Sequence, residues 1–247
     1  MAPTDEESPA TPPTKPKITA EIFALSNIVT VIVGKDQVAY GIHETVLKSR
    51  CPFFEKCLSA GMKEELEKTV RLPEERPCAF NVLVQWMYTD RITEEFLLPE
   101  HDYITEFVVN GTLTHAYVLA DKFCMPELQD TIIERIRSQA DSRMMHVDWL
   151  KHVWKYTEEG SKLRQSAVDK LHYDLAAKSQ RFKDTEGKYS ADLEMLLDCF
   201  DPVVRALLCK FVDQVNKGRK KYLPDPENPT DCVYHVHKEG GRCPTYK

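Results

Sequence analysis

The sequence lacks any run of about 18 apolar residues, the length that a transmembrane helix requires. Its longest strongly apolar block covers residues 28–33 and has the length of a β-strand. The first residues are polar, acidic and rich in proline, and they lack the apolar centre of a secretory signal. These absences predict a soluble, intracellular protein of the cytoplasm, the nucleus or both.

Positive charge is also scarce, because the 247 residues include 33 Lys and Arg against 39 Asp and Glu, a net charge of −6. A protein that neutralises phosphates needs a basic excess, so nucleic-acid binding through bulk charge is not expected. The eight cysteines are scattered and do not form the framework of a small secreted scaffold. Most of them are expected to be reduced thiols.

No phosphate-binding loop, paired carboxylates or G-x-S-x-G motif is evident in the sequence. His43 follows an apolar strand, where a histidine that hydrogen-bonds locally is favoured over a catalytic base. Cys51 would need a helix N-terminus or a cation to become reactive, and Arg50 is its neighbour only in sequence. We therefore predict that the protein is not an enzyme.

Hydrophobic periodicity predicts a small sheet followed by a cluster of helices. Two short β-branched or apolar runs flank a turn, as in a hairpin, and later segments change to helical spacing. Pro52 should interrupt the first helical segment. The predicted elements are strands at 29–33, 38–43 and 69–72, helices at 44–58, 79–88, 113–123 and from Pro126 onward, and an irregular loop at 90–110.

Segments of different composition surround this core. Residues 1–20 carry five prolines and few apolar side chains, so we expect a disordered tail. Residues 141–222 are expected to form a helical extension, in which Trp149 and Trp154 belong to an apolar core stripe. A third helical stretch is predicted at 192–215, and a polar tail with cysteines and histidines covers 223–247.

A series of short motifs in the first half of the chain carries a family resemblance. They are the strand at 29–34, Gly41-Ile42-His43, Val46-Leu47, Ser49-x-x-Pro52-Phe53-Phe54, Met62-Lys63-Glu64, Val70-x-Leu72-Pro73-Glu74, Trp86-Met87-Tyr88-Thr89 and Tyr117-x-Leu119-Ala120-Asp121-Lys122-Phe123. Their order and spacing over residues 26–138 resemble BTB/POZ domains, especially the fungal members. The resemblance implies an α+β fold, with a small mixed sheet and a helical cluster, followed here by an all-helical extension.

The same resemblance implies a protein-interaction function. Relatives form homodimers or act as adaptors, some of them to a cullin ubiquitin-ligase scaffold. Two departures weaken the dimer expectation: Ile28, preceded by Asn27, stands where relatives usually have aspartate, and Glu44 stands where lysine is common. Met62, Lys63 and Glu64 resemble the triplet with which BTB adaptors dock a cullin, in an exposed loop next to glycine. The alternative for these three residues is a solvated loop with a partly buried methionine.

The segment Cys232-x-x-His235-x-His237-x5-Cys243 is the most chemically specific cluster in the sequence. Zinc takes four nitrogen or sulfur ligands, and His235 and His237 project to the same side of an extended backbone. Gly240 and Gly241 permit a turn that would return Cys243. The spacings differ from those of a common zinc finger, so the alternative is a tail in which these cysteines and histidines occur together by chance.

A basic run at 217–221 suits either a nuclear targeting signal or a solvated helix end. Two functions follow. The first is a BTB-mediated dimerisation module or adaptor without a cofactor. The second is a nuclear transcription or chromatin regulator that uses a zinc-binding tail.

Overall fold

A computed structural model describes residues 24–59, 61–93, 106–139, 147–177, 203–207, 210–211 and 232–237. Its sheet has three strands: β1 (Ile28–Val33), β2 (Val38–His43) and β3 (Thr69–Leu72). The spatial order is β2-β1-β3, so β1 is the central strand. It pairs antiparallel with β2 and parallel with β3, which makes the sheet mixed.

The hairpin between β1 and β2 follows from the alternation of side chains along β1. Val29, Val31 and Val33 are fully buried, as the period of two along a strand requires. The turn contains Gly34 at φ +76°, a conformation that favours glycine. A Cβ at this position would stand 3.1 Å from the ring of Pro77, so the close approach of the next helix also requires glycine.

Three helices lie between β2 and β3 in the chain, and the others come after β3. They are α1 (Glu44–Arg50), α2 (Pro52–Cys57), α3 (Lys63–Glu67), α4 (Pro77–Thr89), α5 (Glu106–Lys122), α6 (Pro126–Gln139), α7 (Val147–Tyr156) and α8 (Lys162–Ala177). Three of them begin with proline, whose missing N–H has no helical partner at that position. Pro52 separates α1 from α2, since Cys51 before it is extended.

One continuous core joins the sheet to the helices. Helix α5 packs against α4, α6 and α7, and α1 packs against α2 and α4. Four phenylalanine rings fill the space between the early helices: Phe53 stacks on Phe123 at 4.4 Å, and Phe54 meets Phe80 and Phe123 edge-on. Aromatic pairs in these geometries add about 0.5–1.5 kcal/mol each beyond the area that they bury.

The helices after residue 146 belong to the same core. Trp149 of α7 is 1% exposed, and its Nε1–H donates to the Asn110 carbonyl at 3.2 Å and to Thr114 Oγ1 at 3.1 Å. Both acceptors lie on α5, so the indole joins α7 to the earlier helices by packing and by hydrogen bonds. Trp154, which the sequence places in the same stripe, is only half-buried.

The α+β fold class is confirmed, with a small mixed sheet followed by a helical cluster. Two local predictions are wrong. The irregular loop predicted at 90–110 ends earlier, because α5 begins at Glu106. The segment of Met62, Lys63 and Glu64 is the start of helix α3, not an open loop. No helix of the described ranges is long and apolar enough to cross a membrane.

Several predictions lie outside the described residues: the tail at 1–20, the basic run at 217–221, Cys243, and most of the helix predicted at 192–215, of which 203–207 and 210–211 are helical.

Candidate functional site

The Met62-Lys63-Glu64 triplet lies on a turn that hydrogen bonds hold together. The carbonyl of Met62 accepts hydrogen bonds from the backbone N–H groups of Glu65 and Leu66, at 3.1 and 3.3 Å. The carboxylate of Glu65 reaches back and accepts the N–H of Gly61 at 2.7 Å. This reciprocal bonding satisfies donors at a helix start and fixes its direction.

Two apolar residues at α3 are exposed to solvent: Met62, which precedes the helix, is 53% exposed, and Leu66 is 81% exposed. They are four residues apart in the same short segment. Glu64 is half-buried, whereas Lys63 is exposed. Leu66 was not among the predicted site residues, because a spacing of four residues has no meaning in a predicted loop.

Glu44, one of the two departures from the family pattern, is neutralised within its own chain. Its carboxylate pairs with Lys48 at 2.7 Å and Lys68 at 2.9 Å. Hydrogen bonds from Lys48 and Lys68 lower the pKa of Glu44 to about 2. The amide of Asn27, beside the other departure, lies 3.5 Å from the same carboxylate. The two departures therefore meet at one corner, which the sequence alone did not indicate.

The structure also accounts for His43 and Cys51. The Nδ1 atom of His43 is 2.8 Å from the hydroxyl of Tyr88, and the His43 backbone N–H donates to that oxygen. The ring thus binds locally at the strand–helix corner. Burial raises the pKa of the Cys51 thiol to about 12. At neutral pH this residue is a thiol, and thiols are poor nucleophiles.

Three members of the predicted metal cluster come together. The ligand atoms of Cys232, His235 and His237 all lie within 4.8 Å of one another. A turn closed by a hydrogen bond from the His235 N–H to the Cys232 carbonyl, at 3.1 Å, brings the first two together. His235 and Tyr234 are buried, whereas Cys232 and His237 are half-buried.

Two carboxylates of helix α6 face this cluster. Glu134 lies 2.8 Å from His235 Nε2, and Asp130 lies 3.9 Å from His237 Nε2. Burial raises the pKa of Asp130, although backbone hydrogen bonds oppose the shift. These acids were not among the predicted site residues. Their spacing of four was visible in the sequence, but nothing there indicated that the end of the chain returns to α6.

Comparison with protein families gives one match: the BTB/POZ domain model matches residues 26–140. Comparison with curated proteins gives no match. The matched residues contain the sheet and helices α1 to α6, so the arrangement described above is that of a BTB/POZ domain. This is a protein-interaction domain, and residues 26–140 therefore form a protein–protein interaction module.

Proposed function

We propose that the protein is a non-enzymatic adaptor whose partner binds at the Met62-Lys63-Glu64 turn, with Leu66 as part of the contact. The observation that carries the proposal is the exposure of Met62 and Leu66, at 53% and 81%. Burying a Met or Leu side chain contributes about 1.5–3 kcal/mol, so this pair is suited to anchor a partner. Glu64 and Lys63 supply the polar rim that surrounds such anchors.

The turn is also suited to binding because polar contacts hold both of its ends. Glu65 holds the start of α3, and Lys68 ties its end to Glu44 at 2.9 Å. A surface that keeps its conformation loses less entropy when a partner binds. By resemblance, the partner is the N-terminal region of a cullin scaffold.

A pull-down of the full chain with a cullin N-terminal region tests the proposal. Met62→Ala and Leu66→Ala are each expected to weaken binding by about tenfold or more, since each removes a side chain that the partner would bury. Val38→Ala is the matched control, because Val38 is also an exposed apolar residue but lies on strand β2. Unchanged binding by both anchor variants would exclude this turn as the docking site.

We also propose that the domain forms homodimers through the corner where β1 begins. Leu25 and Ile28 are exposed apolar residues there, at 87% and 51%. The neighbouring Glu44 is paired with Lys48 and Lys68, so it presents no uncompensated charge to a second copy. Light scattering coupled to size exclusion should give a dimer for the wild type and a monomer for Ile28→Arg. A monomeric wild type at every concentration would contradict the proposal.

The nuclear-regulator alternative depends on the Cys/His cluster and the basic run. The cluster is packed against its own chain, since His235 contacts Glu134 and Tyr234 contacts Asp169. This packing favours a structural role over one in which the cluster reads nucleic acid. The adaptor function is therefore the one that we favour.

A further inference from the structure

The short segment 232–237 is held on the surface of helices α6 and α8 by directional contacts. The N–H groups of Val236 and His237 donate to the carboxylate of Asp130, at 2.5 and 3.1 Å. The hydroxyl of Tyr234 donates to Asp169 of α8 at 3.1 Å, and the ring of Tyr234 lies under the guanidinium of Arg137. These contacts hold the segment in place without a metal ion.

This placement brings three metal-ligand side chains together. Cys232, His235 and His237 have their ligand atoms within 4.8 Å of one another. In a tetrahedral zinc site, bond lengths of roughly 2.0–2.3 Å put neighbouring ligand atoms about 3.3–3.7 Å apart. Side-chain rotation covers the remaining distance, since the imidazole centroids are already 5.3 Å apart.

The surroundings match those of protein-bound zinc. Metal-binding histidines usually direct their second ring nitrogen to a carboxylate, which fixes the ring and raises its basicity. Glu134 occupies this position on His235, 2.8 Å from Nε2. Asp130, which is fully buried, stands on the same side of α6 and faces His237. The two acids also offset the charge of a bound cation.

We propose that Cys232, His235 and His237 bind a zinc ion where the segment 232–237 lies against helices α6 and α8. One thiolate and two imidazoles form a borderline-soft donor set, which suits zinc better than magnesium or calcium. The sequence prediction adds Cys243, which lies outside the described residues, and the site proposed here consists of the three that converge. All three ligands come from the segment 232–237, and the contact between His235 and Glu134 is the link from the site to the last helix of the BTB domain.

Metal binding to the purified full-length chain tests the site. The chain is stripped with a chelator and titrated with Zn²⁺ alone in competition with a chromogenic chelator, and one ion per chain is expected. Co²⁺ as a probe should give the absorption of a tetrahedral site with a thiolate-to-cobalt charge-transfer band. Cys232→Ser should abolish that band, and Cys124→Ser, at an exposed cysteine elsewhere, should retain it.

Further variants separate a built site from incidental binding. Glu134→Gln should weaken zinc affinity by roughly 10–100-fold, the usual effect of losing an outer-shell partner, and His237→Ala should weaken it more. Circular dichroism of each metal-free variant checks that the fold is retained. The proposal would be overturned if the wild type bound no zinc. It would also be overturned if Cys232→Ser and His237→Ala bound zinc with the affinity of the wild type. A failure to bind zinc would not affect the proposal for the Met62 turn, since partner binding is measured with separate variants.

Discussion

The BTB domain and the segments that follow it are stabilised by different kinds of contact. The domain interior is apolar, with fully buried valines on β1 and four interlocking phenylalanines. Two of its buried charges lie at corners, where Arg50 binds Asp90 and Glu44 binds two lysines. Apolar packing of this kind is non-directional and depends little on pH.

Helix α8, which follows the domain, buries several charged or polar side chains close together. On α8, Lys170, His172 and Asp174 are at most 4% exposed, and Lys170 binds Asp174 at 2.6 Å. Arg164 of the same helix donates to the carbonyl of Trp154 at 2.8 Å. Such contacts are directional and costly to break, because a buried polar group that loses its partner is not rehydrated. The difference teaches that helix α8 should respond sharply to the loss of a single charged partner.

The largest expected effect is at Trp149, the side chain that joins the two regions. Trp149→Ala should lower the free energy of unfolding by about 3–5 kcal/mol, because it leaves a cavity and removes two hydrogen bonds. Urea denaturation followed by circular dichroism measures the loss. Trp154→Ala on the same helix is the control, and its half-buried ring should cost clearly less. Equal losses would mean that Trp149 has no special role in joining the regions.

The second comparison concerns the buried ion pair of α8. Asp174→Asn should destabilise the chain by about 3–5 kcal/mol, because it leaves the Lys170 charge buried without its counter-charge. The double variant Lys170→Met/Asp174→Leu should recover most of that loss, since both charges are removed. Thermal unfolding of the three proteins at equal concentration checks this. A double variant that is less stable than Asp174→Asn would contradict the explanation.

A smaller effect is expected for the corresponding pair in the BTB domain. Asp90 caps the C-terminus of α4 with φ +55°. Its two carboxylate oxygens accept hydrogen bonds from the two terminal guanidinium nitrogens of Arg50, at 3.0 and 3.1 Å. Asp90→Asn keeps a side chain that tolerates this conformation and removes only the charge. We expect a loss of about 1–3 kcal/mol by chemical denaturation. Asp36→Asn at the exposed hairpin turn is the control, and it should change stability by less than about 0.5 kcal/mol.

A dependence on pH is expected at the junction between α5 and α7. His115 of α5 packs against the rings of His152 and Tyr156 of α7. Burial, and then the charges of Arg76 and His152, lower the pKa of His115 to about 4 from its ordinary 6.5. The unfolded chain therefore binds more protons between these values, and stability falls as the pH drops from about 6.5 to about 4.

His115→Phe isolates this contribution, because it keeps an aromatic ring at this position and removes the titrating imidazole. The variant should show a flatter stability curve between pH 6.5 and 4 than the wild type in urea titrations. Glu44→Gln serves as a comparison, since the pKa of Glu44 is lowered to about 2 and its contribution is lost only below about pH 4.5. Parallel curves for wild type and His115→Phe would contradict the assignment.

The sequence alone was sufficient for the hairpin, the third strand and the helix that begins at Pro126, since these depend on neighbours in the chain. It was also sufficient to group Cys232, His235 and His237, which are close in sequence. It was not sufficient for Leu66, because a five-residue helix has too few residues for periodicity to register. Nor did it indicate Asp130 and Glu134, whose contacts with the histidines span more than a hundred residues.

Local periodicity and the backbone restrictions of proline and glycine determined the α+β order of elements, because the alternation of apolar side chains is a property of the chain itself. Tertiary structure decided which charges meet. The Glu44 corner, the Trp149 junction and the carboxylates beside His235 and His237 each unite residues distant in sequence. The physical reason is that hydrogen bonds and ion pairs act over a few ångströms, so only the folded arrangement selects their partners.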